Sequence, residues 1–258
     1  MRRLLILPML MVADPAAGQR LDYRPVSDET LATGPRLAYR TMEGDHGPAG
    51  LKLQWGLLDR FEYAAQRGAD GYAWDFSALL GGARDRLWLG TSGEGAAWTG
   101  PDYVELNALY SRAVGGDWDL NAGLRYDAQS GADRGYAVLG AQYDDDRLWL
   151  GTFAYLSHKG EASARLAAYY NLNLVRGLVL QPSAELDYYG SDVPELGLGR
   201  GFGYAEAGMR LRYEIREAFA PYVGLSWSRD LGRTARLTRA GGDDPETESL
   251  VMGVRSSF

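Results

Sequence analysis

From Gly50 onward, apolar and polar residues alternate at period two, and no other feature of the 258-residue chain restricts its fold more. In Ala205 to Arg216 one face carries Ala205, Ala207, Met209, Leu211, Tyr213 and Ile215, while the other carries Glu206, Gly208, Arg210, Arg212, Glu214 and Arg216. Asp117 to Asp127 sorts the same way, with Trp118, Leu120, Ala122, Leu124 and Tyr126 opposite Asp119, Asn121, Arg125 and Asp127. Leu178 to Tyr189 places Leu178, Leu180, Leu186 and Tyr188 opposite Gln181, Ser183, Glu185 and Asp187. A helix would scatter these charges around its circumference, so the pattern requires strands whose two faces meet different surroundings.

Gly, Asp, Asn and Pro clusters divide the pattern into strands near 51–63, 71–80, 84–95, 102–113, 117–128, 134–144, 147–157, 162–175, 178–190, 203–216, 219–230 and 248–258. The connections alternate between tight turns, as at Gly81-Gly82, Gly115-Gly116 and Arg176-Gly177, and longer loops, as at Ser191 to Gly203 and Leu231 to Thr247. This describes an all-β protein, an antiparallel transmembrane β-barrel of roughly twelve strands, with eight or ten as alternatives and both ends of the chain in the periplasm. A soluble sandwich would show the same alternation. Two features favour the membrane: aromatic residues near strand ends (Trp55, Tyr63, Trp74, Tyr110, Trp118, Tyr126, Tyr188, Tyr213, Trp227) and a last strand with Leu250, Met252 and Val254 alternating up to Phe258. Segments 51–63 and 147–157 break parity, and a bulge near Asp59 would restore the register of the first.

Ahead of the barrel, Arg2-Arg3, an apolar stretch from Leu4 to Ala13 and the small residues Ala16, Ala17 and Gly18 predict a signal peptide over 1–18. Residues 19–50 are then expected to form a flexible periplasmic segment and 51–258 the barrel. The absence of cysteine removes disulfides and thiolate metal sites, and a net charge of −7 argues against nucleic acid as a partner. Asp85-Arg86-Leu87-Trp88-Leu89-Gly90-Thr91 recurs at Asp146 to Thr152. Gly-x-Arg recurs at Gly123/Arg125, Gly208/Arg210 and Gly253/Arg255, where a missing side chain would leave room for a guanidinium in the lumen.

Several longer stretches resemble the outer-membrane copper resistance protein B family. They are Ala73-Trp74-Asp75, Gly81 to Leu89, Ser92-Gly93-Glu94, Val104 to Tyr110, Trp118 to Asp127, Leu180-Gln181-Pro182 and, most specifically, Glu206 to Arg216 followed by Phe219-Ala220-Pro221-Tyr222. The resemblance covers about residues 51 to 258. It implies a role in copper tolerance, with copper ions bound or passed at the outer membrane, no organic cofactor, outer-membrane lipid around the barrel and a periplasmic multicopper oxidase as a partner. Family members often carry a segment rich in Met and His before the barrel; here residues 19–50 hold only Met42 and His46, which weakens sequestration as the mechanism.

Strand parity then sends Asp75, Glu94, Glu105, Asp119, Asp127, Glu185, Asp187, Glu206 and Glu214 into the lumen as a cation path. It sends Arg86, Arg125, Arg165, Arg210, Arg212, Arg216 and Arg255 there as an arginine ladder. Carboxylates suit hard and borderline cations, and guanidiniums oppose or neutralise them. Met209 and Met252 fall on the lipid side, and His158 on a surface loop. A lipid hydrolase and a passive structural barrel are the rival readings. The first lacks a Gly-x-Ser-x-Gly elbow and has only His46 and His158 as imidazoles.

Overall fold

The computed structural model describes residues 53–129, 132–145, 147–216 and 218–257. The expected signal peptide, the segment 19–50 with Met42 and His46, and Phe258 lie outside the described residues. The strands are β1 (Leu53–Gln66), β2 (Gly71–Gly81), β3 (Asp85–Ala96), β4 (Tyr103–Gly115), β5 (Trp118–Gln129), β6 (Arg134–Asp144), β7 (Leu148–Ser157), β8 (Ala162–Tyr170), β9 (Leu172–Val175), β10 (Leu178–Tyr189), β11 (Gly201–Tyr213), β12 (Phe219–Asp230) and β13 (Glu246–Ser257). Each pairs antiparallel with its neighbours, and β1 pairs with both β2 and β13, so the sheet closes. β8 and β9 both pair with β10 and make one interrupted stave, which gives a barrel of twelve.

Burial decides between membrane barrel and soluble sandwich. Asp75, Glu105 and Asp127 are fully buried, while Leu124 is 67% and Leu139 66% exposed on the outer wall. An outer wall this apolar is unfavourable in water, whereas hydrocarbon accepts it; the carboxylates belong to the interior. The barrel is therefore polar inside and apolar outside.

The two parity breaks have different causes. In β1 the register slips between Leu58 and Phe61 against β13, and between Leu58 and Arg60 against β2. This is the expected bulge, and it turns Arg60 and Glu62 into the lumen while Phe61 stands exposed on the outer wall. In β7 there is no slip at all. Its burial alternates strictly, but the inward residues are Trp149, Gly151, Phe153, Tyr155 and Ser157, so most of both faces is apolar.

The barrel has a tight-turn end, shared with Leu53 and Ser257, and a long-loop end. At a tight turn, the Asp145 carboxylate accepts backbone N–H groups of Arg147 and Leu148, each at 2.7 Å, which holds its pKa below the usual carboxylate value. At the long-loop end, the β12–β13 connection, expected to be irregular, contains the helix α1 (Gly232–Gly241). Thr234 and Ala235 are its buried residues, and Thr234 accepts a hydrogen bond from the Gly199 amide at 3.0 Å, so tertiary contact holds this short helix.

Candidate functional site

The candidate site is the bore. On β4 and β5, Arg125 bridges Glu105 at 2.8 Å and Asp127 at 2.7 Å, donates to the Tyr103 hydroxyl at 2.7 Å, and lies over the rings of Tyr136 and Tyr155 at 5.4 and 4.9 Å. On β8 and β10, Arg165 meets Asp187 at 2.7 Å and Glu185 at 3.2 Å. Arg210 reaches Glu62 at 3.0 Å, Arg86 reaches Asp119 at 2.5 Å, and Arg255 reaches Asp59 at 2.7 Å. A buried ion costs several kcal/mol of desolvation unless it is paired, which is why alternating acid and base occupy this wall. Among the described residues, nine buried carboxylates stand against seven buried guanidiniums, so the wall is net acidic.

Glu206 differs from the rest. It is half-buried, accepts from the Tyr204 hydroxyl at 2.8 Å and the Ser226 hydroxyl at 3.4 Å, and stands directly across from Glu185 in the β10–β11 register. Two carboxylates facing one another across a ladder repel, and a passing cation relieves that repulsion. Among the described residues, however, no group of three or more His, Cys, Asp or Glu side chains converges on one metal position.

Between the ion pairs the bore is filled. Leu79, Trp88, Leu109, Val138, Trp149, Phe153, Tyr155, Ala167 and Tyr169 form one buried cluster. The repeated heptapeptide supplies its two indoles: a Cβ on Gly90 would lie 2.2 Å from Trp88 Cη2, and one on Gly151 2.3 Å from Trp149 Cη2. Each tryptophan thus lies flat along its own strand over a glycine two residues on, which gives the repeat a packing reason. Among the described residues, lumenal cavities of about 30 and about 10 Å³ each have room for only one or two waters.

The larger cavity lies at the long-loop end under the β10–β11 loop. Arg125, Arg165, Asp187 and Tyr189 line it from the barrel, and Ser191, Val193, Leu196 and Leu198 from the loop. The loop closes on itself through a Val193–Leu198 bridge and a 3-10 turn (Pro194–Leu196) and packs on Tyr189. Glu195 ties it down, accepting from Arg134 at 2.7 Å and Lys159 at 3.3 Å. The Glu195 carboxyl is lowered to about 2 by its own backbone N–H, then by those two cations.

Of the residues expected in the cation path, Asp75, Glu105, Asp119, Glu185 and Asp187 are buried, and Glu94 and Glu206 are half-buried. Glu214 lies past the end of β11, exposed at the tight-turn mouth, where it meets Arg212 at 3.5 Å; Arg216 is exposed in the same turn. Arg125, Arg210 and Arg212 are buried and Arg255 half-buried, each held by a carboxylate rather than aligned as a free ladder. Gly208 does open space beside Arg210, with a Cβ there falling 3.0 Å from the guanidinium, but Gly123 faces the Ala108 carbonyl and Gly253 the Tyr222 hydroxyl. Arg60 and Glu62 were hidden from parity by the bulge, and its position near Asp59 was the signal that could have recovered them.

The copper resistance protein B precursor family matches residues 52–258. A copper resistance protein B homolog of Pseudomonas syringae pv. tomato is 35% identical over 98% of this chain and 84% of its own length. The copper resistance protein B of Escherichia coli is 35% identical over 78% of this chain and 68% of its own length. Among solved structures, the NanC porin aligns with a TM-score of 0.55 at 14% identity, covering 76% of this chain and 98% of its own. Outer membrane phospholipase A of Escherichia coli aligns at 0.52 and 12% identity, covering 85% and 96%. At such identities these two share the barrel fold alone.

Proposed function

The chain belongs to the copper resistance protein B family, and from that membership we propose that this outer-membrane barrel contributes to copper tolerance by passing or transiently binding copper ions in its lumen. The observation that carries the reading is the net acidic wall with Glu185 and Glu206 face to face. Paired carboxylates without a closed cage suit brief coordination of a borderline cation, copper here being cargo. In this reading the tight turns and both chain ends face the periplasm, within reach of a multicopper oxidase, and Met42 with His46 hands ions on ahead of the barrel.

The packed bore sets a condition on passage: the aromatic cluster and the β10–β11 loop must both shift before a hydrated ion crosses. As for lipid hydrolysis, among the described residues the His158 ring hydrogen-bonds to the Gly135 backbone, at 3.1 Å to the amide, rather than to a serine hydroxyl. The test is uptake into vesicles bearing the refolded barrel and an internal copper-sensitive dye, with zinc and sodium as comparison ions. Copper-selective uptake that falls about tenfold in Glu206→Gln supports the lumenal route, since one carboxylate is a large share of such a site. No uptake, or equal leakage of all three ions in wild type and variant, overturns it.

A further inference from the structure

The β3–β4 loop carries a combination that neither the copper reading nor the barrel fold requires. Trp98 at its tip is 97% exposed and has a φ of 72°, a left-handed conformation that bulky residues rarely adopt. The loop around it is firmly built. Ala97 donates to the Asp70 carbonyl at 2.7 Å, the Thr99 hydroxyl to the Ala96 carbonyl at 2.7 Å, and the Asp102 amide to the Glu94 carbonyl at 2.9 Å. A strained, bare indole on a braced loop is held out toward something.

The direction in which the loop folds follows from the pleat. Asp75, Ser77 and Leu79 point into the lumen, so Tyr72 and Trp74 stand on the lipid face of β2, their rings stacked at 6.1 Å. Gly95 lies opposite Tyr72, and a Cβ there would fall 2.8 Å from the Gly100 carbonyl oxygen and 3.1 Å from Pro101 Cα and from the Tyr72 hydroxyl. The loop therefore folds back over the outer wall, where the Tyr72 hydroxyl donates to the Thr99 carbonyl at 3.4 Å. A glycine at residue 95 makes that approach possible.

We propose that Trp98 inserts into the headgroup region of the bilayer leaflet at the long-loop end, continuing the Tyr72–Trp74 aromatic patch and fixing the depth of that rim. Indoles favour this level because an apolar body and a polar N–H are both accommodated there. The inference rests on the membrane barrel, not on copper handling.

Because the chain has no cysteine, Trp98→Cys introduces a single site for an environment-sensitive fluorophore, and Arg200→Cys on the exposed β10–β11 loop gives a matched control. In vesicles, lipids spin-labelled near the headgroup are expected to quench the label at residue 98 at least about threefold more than the one at residue 200, with iodide showing the reverse order. Equal iodide quenching at both sites overturns the proposal, as does shielding that appears only at high protein density, which indicates a second copy. Trp98→Gly provides the independent check. It is expected to keep or raise the melting temperature in detergent, by relieving the positive φ, while lowering resistance to urea in vesicles. An equal loss in both media makes Trp98 a fold residue and overturns the proposal.

Discussion

Two walls of the same bore are built on opposite terms. Where β4 and β5 meet, and again at β8 and β10, the inward residues are the ion-paired sets Glu105–Arg125–Asp127 and Glu185–Arg165–Asp187. Around β7 the bore is lined instead by the packed side chains of Trp88, Val138, Trp149 and Phe153. Both walls bury their inward side chains, and both present apolar side chains outward. What differs is how the interior is closed: charge neutralisation on one wall, van der Waals packing on the other. A charged wall can exchange a guanidinium for a passing cation, whereas an aromatic wall can only move aside.

The sharpest way to break this comparison is to remove one charge. Arg125→Met leaves Glu105 and Asp127 buried without their cation and is expected to cost about 3–5 kcal/mol, read as a lower urea midpoint of the refolded barrel. Adding Glu105→Gln and Asp127→Asn is expected to recover most of that loss, because neutral groups no longer need a counter-ion. A single variant with the wild-type midpoint would mean that water screens this wall. On the aromatic wall the counterpart is Gly151→Ala, whose Cβ would fall 2.3 Å from Trp149 Cη2 and 2.9 Å from Phe153 Cε2. An indole packed this closely cannot swing aside freely, so about 1–3 kcal/mol of overpacking is expected, with a changed near-ultraviolet dichroism. Thr152→Ala, on the outer face of the same strand, is the control and is expected to stay within about 0.5 kcal/mol.

The same contrast explains what could be read in advance. On β5 and β11, apolar residues on one side and charge on the other made the alternation visible, and the strand positions follow from it. On β7 the lumen is itself apolar, so hydropathy loses contrast although the pleat does not. On β1 the bulge shifts the phase, which hid Arg60 and Glu62. Glu214 illustrates the opposite fault, since alternation in the sequence runs on past Tyr213 where the strand ends. The pairing of each arginine with particular carboxylates was not legible, because it depends on the register of neighbouring strands. The cover over the larger cavity was not legible either: Glu195, Arg134 and Lys159 are brought together only by three different loops and strand ends.

That cover gives the smallest expected effect and the one that ties the two walls together, since Val193 and Leu196 sit above a cavity floored by Arg125 and Arg165. The Glu195 carboxyl lies at about 2, below its ordinary value of 4.5. Its contribution to holding the loop is therefore complete above the ordinary value and is lost as pH falls through about 2. A spin label at Arg200→Cys is expected to keep the same mobility from neutral pH down to about 5 and to loosen only as the medium approaches the folded-state value. Glu195→Gln should loosen the label at neutral pH and remove the acid step, because a neutral amide retains hydrogen bonding but not the attraction of two cations. If the label in Glu195→Gln stays as immobile as in the parent and still loosens in acid, the apolar contacts of Val193, Leu196 and Leu198 with Tyr189 hold the loop, and the cover belongs with the aromatic wall rather than the charged one.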